Sequence, residues 1–342
     1  MTDETPGTPS ISVIVPIRNE ADHIASTLQQ LLDQDRSNID VEILVADGRS
    51  TDETRQLVAA MAEKHPEIQL FDNPIQLSSG ARNIGIQNAT GQYLLIVDGH
   101  CEIPTRSYFT DLVSAFQRTG ADCLGRPQPL DVTDATRLQT AIAAARNSRF
   151  GHHPDSFIYS KQEIQVPAIS VAVAYRREVF EQVGLFDTRF DACEDCELNH
   201  RIDQAGLTCF LVPELAIRYQ PRKSLAGLFK QLTRYGRGRI RMARKHRELP
   251  SFAALIPALF LIGLIVGPIL GYLFPILGFF YLSVVGLYLA LLAWFSVKAG
   301  WKNPDRRVID ILPLVFFTIH ISSGWGVVRE FLSPFSAQRA ES

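Results

Sequence analysis

Tyr93-Leu94-Leu95-Ile96-Val97-Asp98-Gly99-His100 decides how the N-terminal part of this chain folds: five apolar, β-prone residues run straight into an acid, a glycine and a histidine. An unbroken apolar run of this length suits a strand buried on both faces, which is the habit of parallel sheets. Three more strand-like runs, each mostly apolar, precede it, at residues 11–15, where Pro16 is expected to stop the strand, 41–46 and 68–71. Between them the periodicity turns helical. Ile24, Leu28, Leu31 and Leu32 form one stripe, and Tyr108, Leu112, Ala115 and Phe116 form another after Pro104. The segment 80–89 reads as a helix, and Ser50-Thr51-Asp52-Glu53 has the S-x-x-E form of a capping box that would open one. Strand and helix in alternation predict an α/β fold with a mostly parallel sheet covered on both faces.

Ligands of such sheets bind in the crevice beyond the carboxyl ends of the strands. The polar residues at those ends are Asn19 and Glu20 after the first run, Asp47 after the second, and Asp98 and His100 after the fourth. No G-x-G-x-x-G follows a strand and no G-x-x-x-x-G-K-[ST] occurs, so neither a dinucleotide fold nor a P-loop is supported.

The rest of the chain is of a different kind. The whole has 342 residues, is 46% hydrophobic and carries a formal net charge of -2, but these averages conceal two asymmetries. Residues 251–297 contain no Asp, Glu, Lys, Arg or His. That is long enough for two membrane spans with a turn near residues 271–275. Residues 308–328 are a weaker third candidate, interrupted by Asp310 and His320, which either crosses or lies at the interface. Just upstream, residues 218–247 are rich in Lys and Arg and hold no acid, while Lys298, Lys302, Arg306 and Arg307 follow the second span. The positive-inside tendency places both flanks in the cytosol. Leu225, Leu228, Phe229 and Leu232, with Lys230, Arg234 and Arg237 interspersed, make a basic amphipathic helix suited to anionic lipid headgroups; packing on the catalytic domain is the alternative. Its place against an apolar stretch favours membrane lipids over nucleic acid as its partner.

The expected organisation is a polar tail at 1–10, a catalytic domain at 11–217, a basic interface segment at 218–250, helices at about 251–273, 275–297 and 308–328, and a tail at 331–342. Residues 1–10 have no basic n-region or long apolar stretch, so a multi-pass protein of the inner or plasma membrane with a cytosolic catalytic domain is expected. Five scattered cysteines suit a reducing compartment. Cys193 and Cys196 form a C-x-x-C, but no second pair stands at zinc-site spacing. His152 and His153 lie in a Gly/Pro-flanked loop that reads either as an acceptor lid or as solvated chain.

The ordered set of motifs resembles glycosyltransferase family 2, the inverting enzymes of GT-A fold. The matching strings are Val13-Ile14-Val15-Pro16 with Asn19-Glu20, Asp47-Gly48-Arg49-Ser50-Thr51-Asp52, Gly80-Ala81-Arg82-Asn83-Ile84-Gly85, Val97-Asp98-Gly99-His100, Glu194-Asp195 with Glu197-Leu198 and Arg201, and Gln231-Leu232-Thr233-Arg234-Tyr235. Each string is weak alone, but they stand in family order from residue 11 to 247. Within the family the combination of Asp98-Gly99-His100, the Arg-rich segment and C-terminal spans is most similar to succinoglycan-type exopolysaccharide transferases.

The resemblance implies a nucleotide-sugar donor, UDP-linked, and a membrane-associated acceptor carried on a polyprenyl diphosphate, with membership of a polysaccharide assembly complex as a further association. It assigns the donor pocket to Pro16, Asn19, Glu20, Asp47, Arg82 and Asp98, the general base to Asp195 with Glu194 beside it, and acceptor or diphosphate contacts to Gln231, Arg234 and Tyr235. It also implies a divalent cation at the D-x-D motif, here Asp98 and His100. An imidazole in place of the second carboxylate favours Mn2+ over Mg2+, which prefers oxygen. Bland alternatives stand beside these roles: polar turn residues at Asp98 and His100, a surface ion pair at Arg82, acids that stabilise a helix N-terminus at Glu194 and Asp195, and an i,i+4 pair between Glu197 and Arg201. Tyr235 replaces a usual Trp, which argues against a processive polymerase. The competing functions are a polyprenyl-phosphate sugar synthase and a catalytically silent scaffold.

Overall fold

A computed structural model of the chain describes residues 7–152, 157–158 and 160–332. His153, the first six residues and most of the 331–342 tail lie outside the described residues. The described chain divides into two compact units: residues through Pro129 with 157–219 form one, and Leu130–His152 with Gln220–Leu332 the other.

The first unit alternates strand and helix as its periodicity requires. Its elements run β1 (Ser10–Ile17), α1 (Ile24–Leu32), β2 (Asp40–Asp47), α2 (Thr54–Ala62), β3 (Ile68–Asp72), α3 (Ser78–Asn88), β4 (Tyr93–Ile96), α4 (Tyr108–Thr119) and β5 (Cys123–Gly125). After α5 (Arg137–Arg146), which belongs to the second unit, come β6 (Ile164–Gln165), α6 (Ala168–Val171), β7 (Ala172–Arg176), α7 (Arg177–Val183), α8 (Glu194–Gln204) and β8 (Cys209–Leu211). The eight strands form one sheet in the order β3-β2-β1-β4-β7-β5-β8-β6. Pairings among β1 to β4 are parallel; β7 runs antiparallel to both β4 and β5. The chain reverses its direction of build between β1 and β4, the switch point where such sheets open a crevice. The apolar stripes on α1 and α4 pack on one face with Val13, Val15 and Leu95; Ile14, Leu94 and Ile96 point to the other.

Two expectations fail for reasons the packing supplies. Pro16 does not stop β1, which pairs with β2 as far as Ile17 and Asp47. Ile14 accepts from Val97 on the β4 side, whereas Ile17 accepts from Gly48 on the β2 side. Even-numbered positions therefore face β4, and β4 has ended by then, so Pro16 loses no ladder bond. The capping box at Ser50 and Glu53 does not form either; α2 starts at Thr54, capped by neither side chain. Asp52 instead accepts from the Thr54 amide at 3.0 Å. A complete capping box occurs at Thr136 and Gln139, where α5 begins.

The second unit is helical: α5, then α9 (Leu225–His246), α10 (Phe252–Leu273), α11 (Pro275–Trp301) and α12 (Leu312–Leu332). Among the described residues, α10 and α11 are the two helices long and apolar enough to cross a membrane. At about 33 and 40 Å they exceed a hydrocarbon core, and most of their large apolar side chains are exposed. By contrast α12 lies along α9. A Cβ on Gly326 would stand 2.2 Å from the Thr233 carbonyl, and one on Gly236 2.5 Å from that of Ser323, so glycine at both places permits the approach. The buried Glu330 then takes Arg237 at 2.8 Å and Arg241 at 3.3 Å. The basic segment is thus a packed helix whose arginines are partly spent on an internal acid.

Candidate active site

The carboxyl ends of β1 and β2 are knitted into one rim. Asn19 takes a left-handed conformation at φ 56°, accepts the Thr51 amide on its side-chain oxygen at 2.8 Å, and donates its own amide to the Ser50 hydroxyl at 2.9 Å. That hydroxyl donates to Asp47 at 2.5 Å, and Arg55 reaches the other Asp47 oxygen at 3.3 Å. Ser50 is committed to this knot, which is why it does not cap α2. Asp47 is fully buried, with both oxygens engaged by Ser50 and Arg55. Pro16 stands three residues before Asn19, in register with Ala46.

At the end of β4, Asp98 is half-buried and His100 exposed. Asp98 accepts from the Tyr219 hydroxyl at 2.9 Å, and the Tyr219 ring meets the His100 imidazole edge-on at 6.0 Å. Glu20 stands 2.9 Å from His100 Nδ1. Burial works against charge on Asp98, but Arg82, then His100, Arg126 and the Tyr219 hydroxyl, hold its carboxyl below the usual range. Among the described residues no three His, Cys, Asp or Glu side chains converge as a ready-made cation cage. A cation here would draw on Asp98, on His100 and on oxygens of a bound ligand. The fit is sound: a carboxylate on Nδ1 is the arrangement that turns Nε2 into a metal-binding nitrogen.

Arg82 joins this end to a second pair of acids. It lies on the first turn and a half of α3, and Gly85 lets that helix sit on β1, since a Cβ there would come within 2.4 Å of Ile14. Asn83 grips the backbone of Phe186 through both its amide atoms, at 2.8 and 2.9 Å, and the Arg82 guanidinium lies over the Phe186 ring at 5.2 Å. From there Arg82 reaches Glu194 at 3.2 Å and Asp98 at 3.9 Å. Burial opposes its charge, yet Glu194, Asp195 and Asp98 together raise it further above neutral pH. Glu194 is buried, and desolvation, with Asp195 adding to it, pushes its carboxyl up against the pull of Arg82. Asp195, the next residue on α8, is exposed. The two neighbouring acids therefore differ: one is sealed against an arginine, the other open to solvent.

Gln231, Arg234 and Tyr235 stand on α9 in the second unit, where Gln231 donates to the Tyr235 hydroxyl at 3.1 Å. The Glu197–Arg201 contact is an internal helix pair at 2.9 Å, as its spacing suggests. Cys193 is a buried free thiol in left-handed conformation at the start of α8, and Cys196 is a free thiol as well. His152 is half-buried. Sequence reasoning missed Tyr219 and Arg126. Arg126 follows the apolar end of β5, so the rule that flagged Asp47 and Asp98 could have found it; Tyr219 has no such signal.

The sequence profile described as "Glycosyl transferase family 2" matches residues 12–184, and that of "Glycosyl transferase family group 2" matches residues 102–297. The succinoglycan biosynthesis protein ExoA of Rhizobium meliloti is 30% identical over 97% of this chain and 97% of its own length. A dolichyl N-acetyl-alpha-D-glucosaminyl phosphate 3-beta-D-2,3-diacetamido-2,3-dideoxy-beta-D-glucuronosyltransferase of Methanococcus voltae is 27% identical over 69% of this chain and 74% of its own. In fold, the chain matches a mannosyltransferase of Pyrobaculum calidifontis, solved with GDP-mannose and Mn2+, with a TM-score of 0.59 at 20% identity over 94% of this chain and 88% of that one.

Proposed function

The chain belongs to glycosyltransferase family 2 and has the GT-A fold, and from that premise we propose that it moves a single sugar, with inversion, from a UDP-sugar to a polyprenyl-diphosphate-linked acceptor at a membrane. The observation that carries this reading is the Arg82 bridge, with Asp98 on one side and Glu194 beside Asp195 on the other. A donor-side acid and an acceptor-side acid are thereby held in one network.

In this reading the rim of Pro16, Asn19, Glu20 and Asp47 shapes the nucleotide pocket. Asp98 and His100 hold a divalent cation, Mn2+ in preference to Mg2+, which when bound would offset the charge of the departing nucleoside diphosphate. Arg82 adds a fixed cation on the same side. Asp195 removes the proton of the acceptor hydroxyl as that oxygen attacks the anomeric carbon, while Glu194, pinned by Arg82, keeps the turn of α8 in place. Gln231, Arg234 and Tyr235 contribute contacts to the acceptor or its diphosphate, for which arginine forks are suited. Two apolar helices supply the anchor, with the catalytic unit in the cytosol of a cell that builds a surface polysaccharide within an assembly complex. The lipid-linked acceptor is supported by the Methanococcus relative, whose name specifies a dolichyl N-acetyl-alpha-D-glucosaminyl phosphate, a sugar already carried on a lipid.

The test is calorimetric titration of the detergent-purified chain with UDP and with GDP, each with and without Mn2+. Binding of UDP that needs Mn2+ and disappears in Asp98→Ala supports the transferase reading. A preference for GDP, with a product that releases its sugar in mild acid, favours a polyprenyl-phosphate sugar synthase. No binding by folded protein leaves a scaffold.

A further inference from the structure

We propose that Arg126 is a positioning residue of the donor site, acting through Tyr219 to hold Asp98. Arg126 follows β5 and is 2% exposed, the largest of the fully buried side chains. Its Nη1 donates to the Tyr108 hydroxyl at 3.0 Å and its Nη2 to the Tyr219 hydroxyl at 3.4 Å. Its Nε is buried without a hydrogen-bond partner, and no carboxylate pairs with it among the described residues. Its two hydrogen-bond partners are thus neutral phenols, and the carboxylate whose charge it favours, Asp98, stands on the far side of Tyr219.

A guanidinium has donors only, so each hydroxyl that it touches must accept. Tyr219 then has one proton left to place, and the Asp98 oxygen at 2.9 Å receives it. The chain Arg126 → Tyr219 → Asp98 runs in a single direction, and the charge at its far end strengthens each link. One oxygen of Asp98 is thereby fixed from behind, which orients the carboxylate for a donor-bound cation. This inference rests on the reading of Asp98 as a donor-site carboxylate.

The experiment is titration of the full-length chain with UDP in Mn2+, for the wild type, Asp98→Asn, Tyr219→Phe, Arg126→Met and the Tyr219→Phe/Arg126→Met double variant, with a thermal melt of each. Tyr219→Phe and Arg126→Met should each weaken binding by on the order of tenfold. The double variant should be no weaker than Tyr219→Phe alone, because the arginine acts through the phenol, and Arg126→Met should still melt as a folded chain. Losses that add in the double variant, wild-type affinity in either single variant, or a misfolded Arg126→Met would overturn the proposal. Absence of UDP binding by the wild type, or full binding by Asp98→Asn, would instead overturn the donor-site reading and take this inference with it.

Discussion

Arg82 Nη1 stands 3.2 Å from Glu194 Oε1, and both side chains are almost sealed from solvent. The two residues come from α3 and α8, far apart in the chain, and the same guanidinium is 3.9 Å from Asp98. A buried pair of this kind holds geometry more than it adds stability, but breaking it from one side strands a charge.

Arg82→Met should therefore destabilise the chain by about 3–5 kcal/mol, because Glu194 loses its counter-charge. Adding Glu194→Gln should recover much of that loss. Denaturant melts of the two single variants and the double check it, and a double variant as unstable as Arg82→Met would refute the coupling.

Asp195→Asn should reduce sugar transfer by about 10²–10⁴-fold, the usual worth of a general base, with UDP affinity unchanged. Radiolabelled transfer and calorimetry on the same preparation separate the two effects. Substantial residual turnover would place the base elsewhere.

Glu20→Gln should weaken Mn2+ binding by about 10–100-fold, the range seen when the partner of a ligating histidine is lost. His100→Asp should move the metal preference toward Mg2+, since it replaces nitrogen with oxygen. Titration of both variants with each ion in the presence of UDP is the measurement. Equal affinity of the wild type for Mg2+ and Mn2+ would count against His100 as a ligand.

Glu42 predicts a pH dependence of stability. Burial works against its charge, but the Ser12 hydroxyl at 2.6 Å and the Thr90 amide at 2.6 Å, with the Thr90 hydroxyl and Gly91 amide, lower its carboxyl below the ordinary value. A depressed acid stabilises the fold above its unfolded pKa, and that contribution is lost as pH falls through the folded value. Glu42→Gln should be less stable than the wild type at neutral pH, with the difference closing on acidification. A difference that is constant with pH in thermal melts would show that the carboxylate charge plays no part.

The helix pair α10 and α11 should form a hairpin with its turn outside the cell. A cysteine placed at Leu273 should react with a membrane-impermeant maleimide in intact cells, and one at Lys302 only after lysis. Labelling of both, or of neither, in intact cells would rule out a two-span hairpin with cytosolic ends.

The alternation of strands and helices, the acids at strand ends and the two apolar helices were legible because each is a local pattern. Period, burial on both faces and the absence of charge can be counted along the chain. Pro16 and Ser50 misled for a common reason: each obeys a local rule that a neighbour overrides. The ladder bond that Pro16 lacks faces a place where β4 has already ended, and the Ser50 hydroxyl, which would have to accept an α2 amide, instead accepts the Asn19 amide and donates to Asp47. Likewise nothing local foretells that α12 brings Glu330 against Arg237 and Arg241 of the basic helix.

The sequence by itself determined the α/β class, the strand ends where a donor would bind, the identity of Asp98, Arg82 and Asp195 as candidates, and the apolar C-terminal helices. Only the tertiary structure decided that Arg82 ties Glu194 to Asp98, that Glu20 holds His100, and that Tyr219 and Arg126 stand behind Asp98. Tyr219 and Asp98 are 121 positions apart, and nothing near either residue foretells the contact. Such pairings follow from the requirement that every buried donor, acceptor and charge find a partner once the sheet has closed around it, and that requirement is met across the fold, not along the chain.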